Sequence, residues 1–264
     1  MKIILFSRPL TLAHKEQIVE IFSAISHYGF DFAVNSEVCQ QIELFTGKAI
    51  RAEQIYGQSV GATDDEAVMV CYGGDGTLLE GIHRLAESNI PVVGINSGRL
   101  GFLSLAQSSE IDDVFSQIAS RTLLIEQRTL VEVSGLLEDC NTTIYALNEV
   151  AVQRLGATMI AVDVAIDNMP MLTCNGDGII ISTPTGSTAY SLSAGGPIVA
   201  PSCRCLILTP LSPHNLTLRP VVIPDSSTIT LTIRTRSNDA SVSVDNRTFA
   251  VADNKSITIK LAQK

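Results

Sequence analysis

Between Lys2 and Ile95, short β-branched runs alternate with segments of helical spacing. Lys2–Ser7, Phe30–Val34, Ala67–Tyr72 and Pro91–Ile95 read as strands, and Leu12–Ser26, Glu37–Phe45 and Leu78–Ala86 as helices. Strands separated by helices cannot pair as tight hairpins, so this pattern restricts the first part of the chain to a parallel sheet covered by helices. From about Leu123 the texture changes to period-two alternation, as in Leu130-Val131-Glu132-Val133 and Thr228-Ile229-Thr230-Leu231-Thr232-Ile233, which predicts a mainly antiparallel β domain. The expected division is an α/β domain over 1–105 and a β-rich domain over 106–264, parting where a glycine-rich stretch gives way to a short helical segment between Ser104 and Asp112.

With 264 residues, 45% of them apolar, the chain can bury a sizeable core. The formal net charge of -9 excludes general attraction to phosphate polymers or anionic membranes, so any nucleotide site must be a local arrangement. The opening Met1-Lys2-Ile3-Ile4-Leu5-Phe6 is too short an apolar run for a signal peptide, and no segment has the apolar length of a membrane span, which predicts a cytoplasmic protein. Cys39, Cys71, Cys140, Cys174, Cys203 and Cys205 sit mostly inside apolar stretches and read as buried thiols. His14, His27, His83 and His214 are scattered without metal-ligand spacing, and Cys203 and Cys205 have no companion pair, so no protein-held metal site is expected.

Gly73-Gly74-Asp75-Gly76-Thr77 follows the apolar strand Val68–Tyr72 and precedes a helical pattern. Strand, glycine turn and helix make a phosphate-binding geometry, which gives the first domain a Rossmann-like character. Glycines leave the backbone uncovered, and the helix start adds a partial positive charge. Thr77 is a candidate helix cap. A carboxylate beside a phosphate cradle is unfavourable unless it handles a proton or helps to hold a metal ion, which singles out Asp75; the alternative is an ordinary Asx-turn aspartate.

The second dense polar run is Asn175–Pro197. It reads as a buried strand, Ile179–Ile181, a turn at Pro184-Thr185-Gly186, and a helix carrying Tyr190 and Ser193 with Ser187 and Thr188 as caps. The glycine loop resembles that of NAD kinases, of lipid kinases acting on diacylglycerol and sphingosine and, as a near variant, of phosphofructokinases. The run from Asp177 to Pro197 resembles the NAD kinase signature DG-x-x-x-S-TPTGSTAYS-x-S-AGGP, which lipid kinases lack. Gly94–Leu103, with Arg99 and Leu100, Leu147-Asn148-Glu149-Val150, and Leu208 to Pro220 are similar to further stretches of the same family.

Carried over residue by residue, the resemblance implies that Asp75 is the catalytic base and Gly76 a substrate contact, with Gly73, Gly74 and Thr77 completing the loop. It implies that Asn148 and Glu149 lie near the adenosine half of NAD, that Asp177 is a second invariant aspartate, and that Thr188, Ala189, Tyr190, Ser191, Leu192 and Ser193 embrace the nucleotide. Arg247 stands where some relatives place a glutamine at the site. In some bacterial relatives an arginine two residues before the second aspartate goes with preference for NAD over NADH; here Asn175 stands there, so discrimination against NADH is not implied. The implied reaction moves the γ-phosphoryl group of ATP, with Mg²⁺ or another divalent cation, to the adenosine 2′-hydroxyl of NAD, with Asp75 and the hydroxyl-lined turn after Gly186 serving one dinucleotide. The implied partners are NAD and ATP in a homodimer or homotetramer, without nucleic acid or membrane. A tail beyond Lys264 is a further expectation of the resemblance. Two rivals remain at this point: a lipid kinase with the same glycine loop, and a non-catalytic NAD-sensing module.

Overall fold

The structure, a computed structural model, describes residues 1–60, 66–85, 88–98, 101–104, 106–137, 144–236 and 239–262; Ala86, Arg99, Leu100, Cys140 and Lys264, named above, lie outside them. Two compact units are present, Met1–Glu126 and Gln127–Lys264.

Among the described residues the first unit holds six parallel strands, β1 (Lys2–Ser7), β2 (Asp31–Asn35), β3 (Ile55–Tyr56), β4 (Ala67–Tyr72), β5 (Val92–Asn96) and β6 (Ala106–Gln107), in the order β3-β2-β1-β4-β5-β6. That is the order of a doubly wound sheet. Helix α1 (Lys15–His27) buries Ile18, Ile21, Phe22 and Ile25, residues three and four apart that form one apolar stripe against the sheet. Helices α2 (Cys39–Thr46), α3 (Asp75–Arg84) and α4 (Ile111–Ser120) complete the cover. The division between units falls after Glu126 and not after residue 105. Ile111, Val114, Phe115 and Ile118 of α4 belong to the same core as α1 and the parallel strands, so the segment of uncertain allegiance goes with the first unit.

Among the described residues the second unit forms two antiparallel six-stranded sheets. One contains β7 (Val131–Ser134), β8 (Ile144–Ala146), β10 (Ile160–Ile166), β11 (Met169–Gly176), β15 (Ile229–Arg234) and β18 (Lys255–Leu261), in the order β11-β10-β15-β18-β7-β8. The other contains β9 (Glu149–Arg154), β12 (Gly178–Ser182), β13 (Cys205–Leu211), β14 (Val221–Pro224), β16 (Ala240–Val244) and β17 (Arg247–Val251), in the order β14-β13-β12-β9-β16-β17. A single apolar cluster draws on both sheets: Val150 and Val152 of β9 and Ile179 and Ile181 of β12 meet Val162, Val164, Leu231 and Ile259. Alternation then turns Ala151 and Ile180 to the opposite face of the second sheet, where they form a small cluster with Leu211 and Ala194. On that outer face sits the short helix α5 (Tyr190–Ser193), preceded by a 3-10 turn over Thr185–Thr188. Cys71, Cys174 and Cys205 are buried, Cys39 is half-buried and Cys203 is exposed, and all five are free thiols. No helix among the described residues is long and apolar enough to cross a membrane.

Candidate active site

In the first unit β1 and β4 are parallel neighbours that end side by side, Ser7 opposite Tyr72. The chain leaves β1 toward β2 and β3, then returns to β4 on the other flank of β1. The carboxyl ends of these two strands therefore border the switch point at which open α/β sheets take ligands. Gly73 to Thr77 occupies that place. Gly73 has φ 151°, and a Cβ there would lie 2.7 Å from Cβ of Thr77, so the turn tolerates no side chain. Gly74 is the helix cap residue of α3 and no side chain caps the first turn, while Thr77, expected as the cap, is buried inside that turn. The turn packs too closely for a threonine cap, and the helix start keeps its amides for a ligand.

Asp75 begins α3. Its Oδ2 accepts the backbone N–H of Phe102 at 2.8 Å, and its Oδ1 accepts those of Leu103 and Ser104, both at 3.0 Å. No local pattern signals that this carboxylate also holds the segment after Gly101. Arg8, just past β1, reaches the same loop: Nη2 donates to the Gly76 carbonyl at 3.2 Å, and Nε pairs with Glu80 at 2.9 Å.

In the second unit, the start of β9 and the ends of β12 and β16 meet at one end of their sheet, because Glu149 pairs with Ser182 and Val150 with Val244. Antiparallel register thus brings together Asn148, Glu149, the Thr183–Ser193 run and the Asp245–Arg247 turn. The backbone of Gly186 lies against Asn148, where an added Cβ would come within 2.7 Å of the Asn148 Cα. Ser187 and Thr188 do not cap α5. Their hydroxyls turn back onto the carbonyls of Pro184 and Thr185, and the cap residue is Ala189 without a side-chain bond. No side chain caps α5, although the Tyr190 amide lies close enough to the Glu149 carboxylate to favour its ionised form. Ser191 is fully buried, its hydroxyl 2.9 Å from that of Thr209, while Leu192 is exposed and Tyr190 stands partly in solvent. Asn148 is only 9% exposed, yet among the described residues its Oδ1 has no partner, nor has Oε2 of Glu149. Buried acceptors of that kind await a donor.

Tyr190 extends toward the other end of β9, where its hydroxyl accepts from Nε2 of Gln153 at 2.7 Å. There a cleft of about 320 Å³ is lined by Gln153, Arg154, Asp177, Tyr190, Leu211 and Ser212, among others. Arg154 forms an ion pair with Asp177, whose own amide donates to the Leu211 carbonyl. Asn175, on β11, gives its carbonyl to the amide of His214 at 2.7 Å. Gln153 and Arg154 escaped the sequence reading, since on β9 they are two polar residues at a strand end.

Residues 13–122 match the ATP-NAD kinase N-terminal domain and residues 147–263 the ATP-NAD kinase C-terminal domain. An NAD kinase of Bacteroides fragilis is 31% identical over 263 residues, covering 99% of this chain and 90% of that protein. The chain belongs to the NAD kinase family. With that membership goes ATP-dependent phosphorylation of NAD, a transferase activity. Among solved structures, a yeast NADH kinase in complex with NADH superposes with a TM-score of 0.86 at 29% identity, over 99% of this chain and 80% of that one. An NAD kinase from Archaeoglobus fulgidus in complex with ATP gives 0.75 at 26% identity, over 100% and 91%.

One titration of this NAD kinase fold can be measured. Burial first, and then the Asp245 carboxylate, push Glu149 up from 4.5 to about 7, against the lowering effect of the Tyr190 amide. Between those values the folded protein holds a proton that the unfolded chain has released, so stability falls as pH rises through that window and levels off above it. Glu149→Gln removes the titration. Denaturant unfolding should show the variant more stable than wild type at pH 8, by up to about 3 kcal/mol, and near parity at pH 4.5. Parallel pH profiles for the two proteins would contradict the assignment.

Proposed function

We propose that Asp75 accepts the proton of the adenosine 2′-hydroxyl of NAD as the γ-phosphoryl group of ATP is transferred to it, giving NADP and ADP. A ribose hydroxyl is a weak nucleophile, and phosphoryl transfer demands in-line placement and charge neutralisation more than covalent participation. The observation that carries the reading is a carboxylate at the first turn of α3, at the switch point of a doubly wound sheet, beside a glycine turn with no side-chain cap. Asp75 Oδ2 bears one backbone hydrogen bond and keeps acceptor capacity for a hydroxyl.

The amides of Gly74 and Gly76, with Arg8 beside them, are suited to the triphosphate. Mg²⁺ bound to ATP would neutralise charge on the departing ADP. Among the described residues no three His, Cys, Asp or Glu side chains gather as a cage, and one carboxylate beside a phosphate cradle suits a divalent ion carried on the triphosphate. Asn148 and Glu149 offer buried acceptors to the nucleoside, and Thr188, Ala189, Tyr190, Leu192 and Ser193 line it, with Tyr190 presenting ring area, while the buried Ser191 holds that turn through Thr209. Asp177, Asn175 and Arg247 are assigned to the same dinucleotide.

NADH is proposed as a second acceptor. The yeast neighbour is a NADH kinase, and at the Asp177 cleft the nearby Arg154 already neutralises the carboxylate that would otherwise favour a cationic ring. A cytoplasmic setting fits the free thiols, and a homodimer or homotetramer follows from the family reading. The test is NADP and NADPH formation by the purified chain with ATP and Mg²⁺, NAD and NADH being run in parallel. Both acceptors should turn over at comparable rates. Absence of product from both refutes the activity, and product from NAD alone refutes the second acceptor.

A further inference from the structure

Asp245 lies in the two-residue turn between β16 and β17, at φ 50°. Left-handed backbone is uncommon for a residue with a side chain, although aspartate tolerates it. Its carboxylate is turned toward the chain just before β9. Oδ2 accepts the amide of Leu147 at 2.9 Å, and Oδ1 accepts those of Asn148 at 2.9 Å and Glu149 at 3.1 Å. Its own amide donates to the Glu149 carbonyl at 2.9 Å. The opposite edge of the same three residues is held by Thr183, whose hydroxyl donates to the Leu147 carbonyl and whose amide donates to that of Asn148. The backbone of Leu147–Glu149 is therefore bonded on both edges, while Oδ1 of Asn148 and Oε2 of Glu149 are buried and unpartnered.

Rigid backbone beneath unsatisfied side-chain acceptors is the arrangement of a prepaid binding geometry. Two buried acceptors that cannot turn away to find partners within the protein gain theirs only when a ligand arrives, and the ligand then finds them already aimed. Among the described residues Asp245 is the one side chain that grips all three amides, and it comes from a turn nearly a hundred residues away.

We infer that Asp245 is a positioning residue for the nucleoside subsite: its carboxylate clamps the amides of Leu147, Asn148 and Glu149 so that the side chains of Asn148 and Glu149 meet NAD in a preset geometry. The inference rests on the reading of those two residues as nucleoside contacts. Asp245 itself touches no reacting atom in this scheme, so its loss should weaken the binding of NAD and spare both the chemical step and ATP.

Two variants separate the clamp from the turn. Asp245→Asn keeps a residue that tolerates the left-handed backbone but sets an amide donor against backbone donors. Asp245→Gly relaxes the backbone and removes the clamp altogether. For both, KM for NAD should rise at least about tenfold, with kcat and KM for ATP little changed. Michaelis constants do not depend on the fraction of active protein, so the ratio of the two KM values remains decisive even if a variant folds poorly; calorimetry reads the loss of NAD affinity directly, without turnover. Unchanged KM for NAD in both variants, or a fall in kcat alone, overturns the inference. A wild-type chain that binds NAD but forms no NADP would instead refute the activity, and the calorimetric comparison of Asp245 variants would still decide the clamp.

Discussion

Asp75→Asn is expected to lower kcat by about 10² to 10⁴ while leaving NAD affinity nearly unchanged. The substitution is not as clean as a change of one atom implies. Oδ1 can keep the amides of Leu103 and Ser104, but the new Nδ2 would face the amide of Phe102 where Oδ2 now accepts it. Phe102 is exposed, so water can replace that bond, and the cost is about 1 kcal/mol. Even if all of it fell on the transition state, it would account for less than about a tenfold loss. A larger fall therefore belongs to the missing proton acceptor. Steady-state rates with both substrates saturating, together with calorimetric NAD binding, decide the matter; a variant within tenfold of wild type removes Asp75 as the base.

The second large effect is expected from a residue that carries no functional group. A Cβ on Gly101 would stand 2.5 Å from both Cγ and Oδ2 of Asp75, and closer still to Oδ1. None of these atoms can easily retreat, because the carboxylate is tied to the three amides that follow Gly101. Gly101→Ala must therefore either swing the carboxylate out of place or lift the 101–104 segment away from it. Displacements of about an ångström at a reacting group cost on the order of 10² in rate, and kcat should fall by at least that much. The melting temperature should move little, since Phe102 is exposed and Gly101 and Leu103 are half-buried, Ser104 alone of the segment being buried. A Gly101→Ala enzyme with more than half the wild-type kcat would mean that the segment does not rest on Asp75 during turnover.

The parallel sheet, the antiparallel domain and the glycine turn were legible because each is written locally. Strand and helix signals are complete within a few residues: β1 and β4 are continuous apolar runs buried on both faces, and α1 and α3 carry apolar residues three and four apart. Local rules failed where a polar side chain had several partners within reach. Ser187 and Thr188 looked like caps for α5, yet their hydroxyls close back on the preceding turn and no side chain caps the helix. Helix α4 carries a clear apolar stripe, but a stripe does not say which core it covers.

The order of residues alone thus determined the two kinds of sheet, the position of the phosphate-binding turn, and, through the run from Asp177 to Pro197, the family. Only the tertiary structure decided that Asp75 grips the segment after Gly101, that Arg154 neutralises Asp177, and that Asp245 clamps Asn148 and Glu149. The reason is physical: burial patterns are short-range properties of a chain, whereas a carboxylate chooses its donors among groups that strand register delivers from 27 residues away in one case and 97 in another.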